Sequence, residues 1–210
     1  MLELNSQTSK CKRVMRRLIS IAAVCALTAF AVGCSSSPPS RFYTLTATTT
    51  PAAASSNLSV AVGPVSVPAV VDRPQIVVST SANQVGIDEF NRWASPLQNN
   101  ISRVVADNLV ALLGTPRVTL VPQTLSADAD YRAAIEVQNF ESAPGEAAML
   151  DAVWTVRRAK DGKTETGRTT TREAVQEKSY NALAAAHSRA LASLSRDIAE
   201  AVRALDRSGQ

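Results

Sequence analysis

The pattern of apolar and polar positions divides the chain at one place. Leu18 to Val32 is a nearly unbroken apolar run of about 15 residues, shorter than the roughly 20 that a spanning helix needs. Beyond it the apolar positions become periodic. Leu58-Ser59-Val60-Ala61-Val62 alternates into Gly63-Pro64, Val65-Ser66-Val67 alternates again before Pro68, and Pro74 precedes Ile76-Val77-Val78. Alternation with period two reads as strand. Prolines this close to strands argue for edges or breaks, since proline has no N–H for a ladder. Asn83-Gln84-Val85-Gly86 reads as a turn leading into Ile87.

The period changes at Ser95-Pro96-Leu97-Gln98. Ser95 is placed to be an N-cap, Pro96 the first helical residue and Gln98 the return partner of a capping box. Leu97, Ile101, Val104, Val105, Leu109 and Leu112 follow at helical spacing until Gly114 and Pro116, with Arg103, Asp107 and Asn108 off the stripe. Val118 to Val121 is a short strand. Tyr131–Phe140, Ala148–Arg157 and Thr164–Val175 form three longer ones, the last two joined by the hairpin-type turn Asp161-Gly162. From about Tyr180 to Leu205 the chain is Ala-rich, with Leu183, His187, Leu191, Leu194, Ile198 and Val202 on one broad face. Two amphipathic helices and a meander predict an α+β fold: a two-layer sandwich of a mostly antiparallel sheet with both helices on one face.

The first apolar run acquires its meaning from its flanks. Lys10, Lys12, Arg13, Arg16 and Arg17 precede it, and Ala31-Val32-Gly33-Cys34 closes it, which is the tripartite pattern of a secretory leader. Met15-Arg16-Arg17 with the apolar run is already a complete leader, so either Met1 or Met15 serves as the start. Cleavage between Gly33 and Cys34 with acylation of the Cys34 sulfur is the expected processing. Several buried acyl chains, including palmitate-type ones, anchor far more firmly than one. Ser35 follows Cys34, where an inner-membrane retention signal would have Asp, so the expected location is the periplasmic face of the outer membrane. The expected organisation is a signal peptide over 1–33, lipidated Cys34 and a flexible tether with a short strand over 34–57, and one domain over 58–207.

Removing the leader changes charge and thiol content together. The full chain has 22 Lys plus Arg against 18 Asp plus Glu; the leader holds five basic residues and Glu3, leaving 17 of each. The basic excess is therefore an export signal, and nucleic acid is not an expected partner. Cys11 and Cys25 depart with the leader, so no free thiol and no disulfide are expected in the mature domain.

Little in the sequence carries catalysis. His187 is the only histidine, placed on a helix's apolar face as a core-edge or interface residue. A zinc cluster lacks ligands, no phosphate loop or nucleophile elbow is present, and Asp128 with Asp130 precedes a strand as solvated turn residues do. No cofactor, no metal and no enzymatic activity are expected. Phe90-Asn91-Arg92-Trp93 has two readings, a staple fixing the helix start to the core or a partner-binding segment made of Phe90, Arg92 and Trp93, residue types common in interaction hot spots.

Phe42-Tyr43-Thr44-Leu45, Val62-Gly63-Pro64-Val65, Val71-Asp72-Arg73-Pro74-Gln75-Ile76-Val77 and Asn91-Arg92-Trp93-Ala94-Ser95-Pro96-Leu97 together resemble the ABC-type transport auxiliary lipoproteins, the family of paraquat-inducible protein C. The resemblance covers essentially the whole mature chain. It implies a non-catalytic auxiliary of an MCE-type intermembrane lipid transport system, an MCE-domain protein as partner, docking at the end of a trans-periplasmic conduit, and a possible homo-oligomeric ring. Two other readings stay open: a structural envelope-assembly lipoprotein that does not handle lipid, and a periplasmic ligand-binding lipoprotein.

Overall fold

The computed structural model describes residues 15, 37–52 and 56–209. Gly33 and Cys34, and with them the cleavage and lipidation sites, lie outside the described residues. The unit Ser40–Gln210 contains eight strands: β1 (Arg41–Tyr43), β2 (Val60–Ser66), β3 (Gln75–Ser81), β4 (Gln84–Trp93), β5 (Val118–Leu120), β6 (Tyr131–Ala143), β7 (Ala147–Arg158) and β8 (Thr164–Ala174). Its two long helices are α1 (Leu97–Leu113) and α2 (Tyr180–Arg207).

A five-stranded sheet runs in the order β5-β2-β6-β7-β8. The β6-β7-β8 meander is antiparallel, as the turn-linked sequence predicts, whereas β2 pairs parallel with both β5 and β6. Parallel neighbours need a crossover, and α1 supplies it between β2 and β5. Both helices cover one sheet face, α1 over β2 and β5 and α2 over β7 and β8, and they pack on each other. The core is where Val60, Val62, Ile135, Leu150, Ala152 and Val156 meet Ile101, Leu109, Leu191, Leu194 and Ile198, all at most 3% exposed. The α+β sandwich is thus present, with a second, three-stranded sheet in the order β1-β4-β3 added at its end.

Local departures have local causes. Val60–Ser66 is one strand rather than two, because a bulge at Gly63-Pro64 absorbs the break and pairing with β6 resumes at Val65↔Ile135. The turn after β3 is tighter than 83–86: β4 begins at Gln84, and Val85 and Gly86 already pair with Ser79 and Val78. The capping box at Ser95 does not form. Ala94 N–H donates to Tyr43 O at 2.8 Å, which keeps the chain extended, so Pro96 takes the N-cap position with no side-chain cap. At the other end Gly114 adopts the left-handed conformation, φ 63°, that a C-terminal cap favours.

The segment after β1, expected to run free, is held along the helices. Leu45 is fully buried. Thr46 N–H donates to Ser188 Oγ, Thr48 and Thr49 N–H donate to Asn108 Oδ1, and Ala52 N–H donates to Ala111 O. Asn108, expected off the apolar stripe, is fully buried for this reason. Its carboxamide binds the strap with Oδ1 and donates to Ser195 Oγ of α2 with Nδ2, so α1, α2 and the strap share one polar hinge point.

Candidate functional site

The segment singled out by sequence, Phe90–Trp93, ends β4 and abuts β1 through a parallel register, Arg41↔Asn91, Phe42↔Arg92 and Tyr43↔Trp93. Alternation sends its members to opposite sides. Trp93 is 5% exposed and meets Phe140 edge-on, ring centroids 6.2 Å apart. It fixes the start of α1 to the core. Arg92 stands on the outer side beside Phe42. Its Nε donates to Glu89 O at 2.8 Å and its guanidinium lies 3.5 Å from the Glu89 carboxylate. Phe90 is half-buried. A partner approaching this segment would meet Arg92 and Phe90 rather than Trp93.

Behind it lies a polar network that sequence reading missed. Between Gln75↔Arg92 and Val77↔Ile87 the β4 strand carries extra residues, and this bulge turns Asp88 and Asn91 inward. Tyr43 Oη donates to Asn91 Oδ1 at 2.8 Å, Asn91 Nδ2 donates to Asp88 Oδ2 at 2.8 Å, and Tyr180 Oη donates to the same Asp88 oxygen at 3.2 Å. The Phe90 amide and the Asn91 carboxamide hold the Asp88 carboxyl below its ordinary range. Burial first, then the Asp88 charge, pushes the Tyr180 phenol up to about 12. With the Tyr180 phenol protonated as a donor and Asp88 ionised as acceptor, the network ties β1, β4 and the start of α2 together.

The remaining candidates are structural. His187 is fully buried rather than at the core edge, stacked on Phe140 at 3.8 Å with Nε2 2.8 Å from Ser142 Oγ. Burial lowers its pKa to about 3, so it is neutral. Asp130 accepts hydrogen bonds from Ser59 N–H and Oγ, joining the starts of β2 and β6, and Asp128 is exposed. A solvent-open depression of about 630 Å³ beside them includes Tyr131, Arg158 and Asp206. Three of its polar side chains are paired: Tyr131 Oη donates to Asp206, and Arg158 donates to Asp161 and to Leu205 O. Among the described residues no group of His, Cys, Asp and Glu has a metal-binding arrangement, and no helix is long and apolar enough to cross a membrane.

Among solved structures, one reported as the crystal structure of an uncharacterized protein is 22% identical, covers 79% of this chain and 99% of its own, and has a TM-score of 0.64. Protein XCC0632 from Xanthomonas campestris, of the family model DUF330, is 20% identical over 81% of this chain and 100% of its own, with a TM-score of 0.65. These likenesses establish the fold. A PelC dodecamer from Paraburkholderia phytofirmans, at 13% identity over 72% of this chain and 92% of its own, has a TM-score of 0.39, too low to bear on assembly. No curated protein matches in sequence. The model of the ABC-type transport auxiliary lipoprotein component family matches residues 43–199, from β1 through most of α2. The chain therefore belongs to the ABC-type transport auxiliary lipoprotein component family.

Proposed function

We propose that the mature chain is a non-catalytic, lipid-anchored auxiliary of an MCE-type ABC lipid transport system, held by acylated Cys34 at the periplasmic face of the outer membrane and docking the far end of the conduit. Family membership across 43–199 carries the reading, and it supports an ABC transport system as the partner. The Gly33-Cys34 cut with Ser35 after it supports the location. On this reading residues 1–33 are removed, 34–40 are the tether, and the domain works by contact.

Crosslinking in intact cells followed by pull-down of the lipidated protein tests it. The expected capture is an MCE-domain protein; recovery of outer-membrane assembly proteins alone would refute transport and favour an assembly role. Cys34→Ser is expected to leave the membrane fraction. Arg92→Ala reads binding at the segment's exposed side, whereas Trp93→Ala reads the fold. Unchanged capture with Arg92→Ala removes the segment from the docking surface.

A further inference from the structure

Four of the seven exposed large hydrophobic side chains among the described residues lie together on the three-stranded sheet and its approach: Phe42 (64% exposed), Val70 (49%), Val85 (51%) and Ile87 (44%). Register places them. Phe42, Arg92 and Gln75 form one row across β1-β4-β3, Val77 and Ile87 the next, and Ser79 and Val85 the one after. Alternation puts Gln75, Val77 and Ser79 on the side that Phe42, Arg92, Ile87 and Val85 share. Its β3 edge is covered, Val77 being buried and Ser79 Oγ donating to Glu141 of β6, so the open part of this outward face is the β1–β4 part that carries Phe42, Val85 and Ile87. Val70 and Val85 stand at the rim of a groove of about 300 Å³ whose other wall is Asn139–Ser142 of β6. Monomeric surfaces scatter such residues singly, and grouping marks an interaction site.

We propose that this outward face rests on the bilayer to which the chain is anchored, with Phe42, Val85 and Ile87 in the headgroup-acyl boundary. Chain length singles out this occupant. Eight Cα steps lead from Cys34 to Phe42, so an extended chain holds the Phe42 backbone within about 29 Å of the acylated residue's. The most exposed aromatic residue of the domain is thus tied closest to the membrane. Its neighbours suit that interface: aromatic rings settle at headgroup depth, aliphatic side chains pass into the acyl boundary, and Arg92, its charge paired with Glu89, covers apolar surface with its stem. The conduit then meets a surface away from this sheet. The inference rests on the lipidation of Cys34 proposed above.

The test uses the full lipidated chain reconstituted in phosphatidylethanolamine–phosphatidylglycerol vesicles, carrying Val85→Cys, Ile87→Cys or, at the β7–β8 turn, Lys160→Cys, each labelled with an environment-sensitive fluorophore. These positions are exposed, and unchanged thermal melting confirms each fold. The expected result is blue-shifted emission and loss of iodide quenching at 85 and 87 but not at 160. Vesicle flotation with aqueous spectra at all three positions overturns the inference and leaves the anchor intact. Failure to float overturns the anchor reading, and the inference with it. Shielding at 85 and 87 that appears only on adding an MCE-domain protein, or that rises with protein concentration in detergent, overturns the bilayer in favour of that protein or a second copy.

Discussion

Lowering the pH is expected to unload stability through His187 in a way that a single substitution isolates. The imidazole is wholly enclosed by Phe140, Ser142 and the α2 backbone, and burial takes its pKa from 6.5 to about 3. Between those values the unfolded chain binds a proton that the folded chain refuses, so stability is complete above about pH 6.5 and falls as the pH drops. The slope approaches 1.36 kcal/mol per pH unit, which gives a loss of about 2 kcal/mol by pH 5, a large share of the roughly 5–15 kcal/mol typical of a domain. Urea unfolding of the parent and of His187→Gln from pH 7.5 to 4.5 measures it. The variant loses the stacked ring and is weaker throughout, but it lacks the proton. The difference in unfolding free energy between the two is expected to be flat above pH 7 and to shrink by about 2 kcal/mol at pH 5. A difference constant within about 0.5 kcal/mol over that range would show that the folded state accommodates the imidazolium, and the reasoning from burial would fail.

Trp93→Ala is expected to cost about 3–5 kcal/mol, the range for a large core aromatic, with Trp93→Phe recovering most of it in thermal unfolding, as a staple would and a contact surface would not. Gly167→Ala is expected to cost about 1–3 kcal/mol, because the added carbon would sit 2.3 Å from the Trp154 ring; altered tryptophan emission should accompany the loss. Asn108→Ala leaves the Thr48 and Thr49 amides and Ser195 without their partner, an expected loss of about 1–3 kcal/mol, and limited proteolysis should then cut first within residues 46–57. Arg158→Ala should lower stability at neutral pH and lose less of it in acid: this guanidinium holds the Asp161 carboxyl well below the usual range, so the pair's contribution is present above about pH 4 and lost below it, and the gap between parent and variant in urea unfolding should narrow as the pH falls below 4.

The meander and α2 were legible because their side chains alternate or recur against one continuous core. In β6 Tyr131, Ala133, Ile135 and Val137 are buried while Arg132 and Glu136 are exposed, and that contrast is written in the residue types. The three-stranded sheet was not legible. Its pairing joins β1 to β4 across about 50 residues, and the β4 bulge resets the alternation, so nothing local says that Trp93 points in while Arg92 and Ile87 point out. The strap was misread for a related reason. Thr, Ala and Ser carry no apolar pattern, and the order of Thr46–Ala52 comes from amides finding Ser188, Asn108 and Ala111 on remote helices. Asn108 looked solvent-facing because its partners are backbone groups that sequence does not advertise.

The way β1 and the strap are fastened also sets how the domain answers tension. A pull on the residues before β1 reaches Arg41 first, where a three-residue ladder to β4 and the Tyr43 bonds to Asn91 and Ala94 resist. The next catches are the buried Leu45 and the Thr46–Ser188 bond, then the Asn108 clasp. The attachment therefore releases in stages. Freeing residues 41–45 lengthens the tether by about 17 Å at 3.3–3.6 Å per residue before any helix or the five-stranded sheet is disturbed. A pull on residues 37–40 would spend that slack first, leaving the folded layers under no strain.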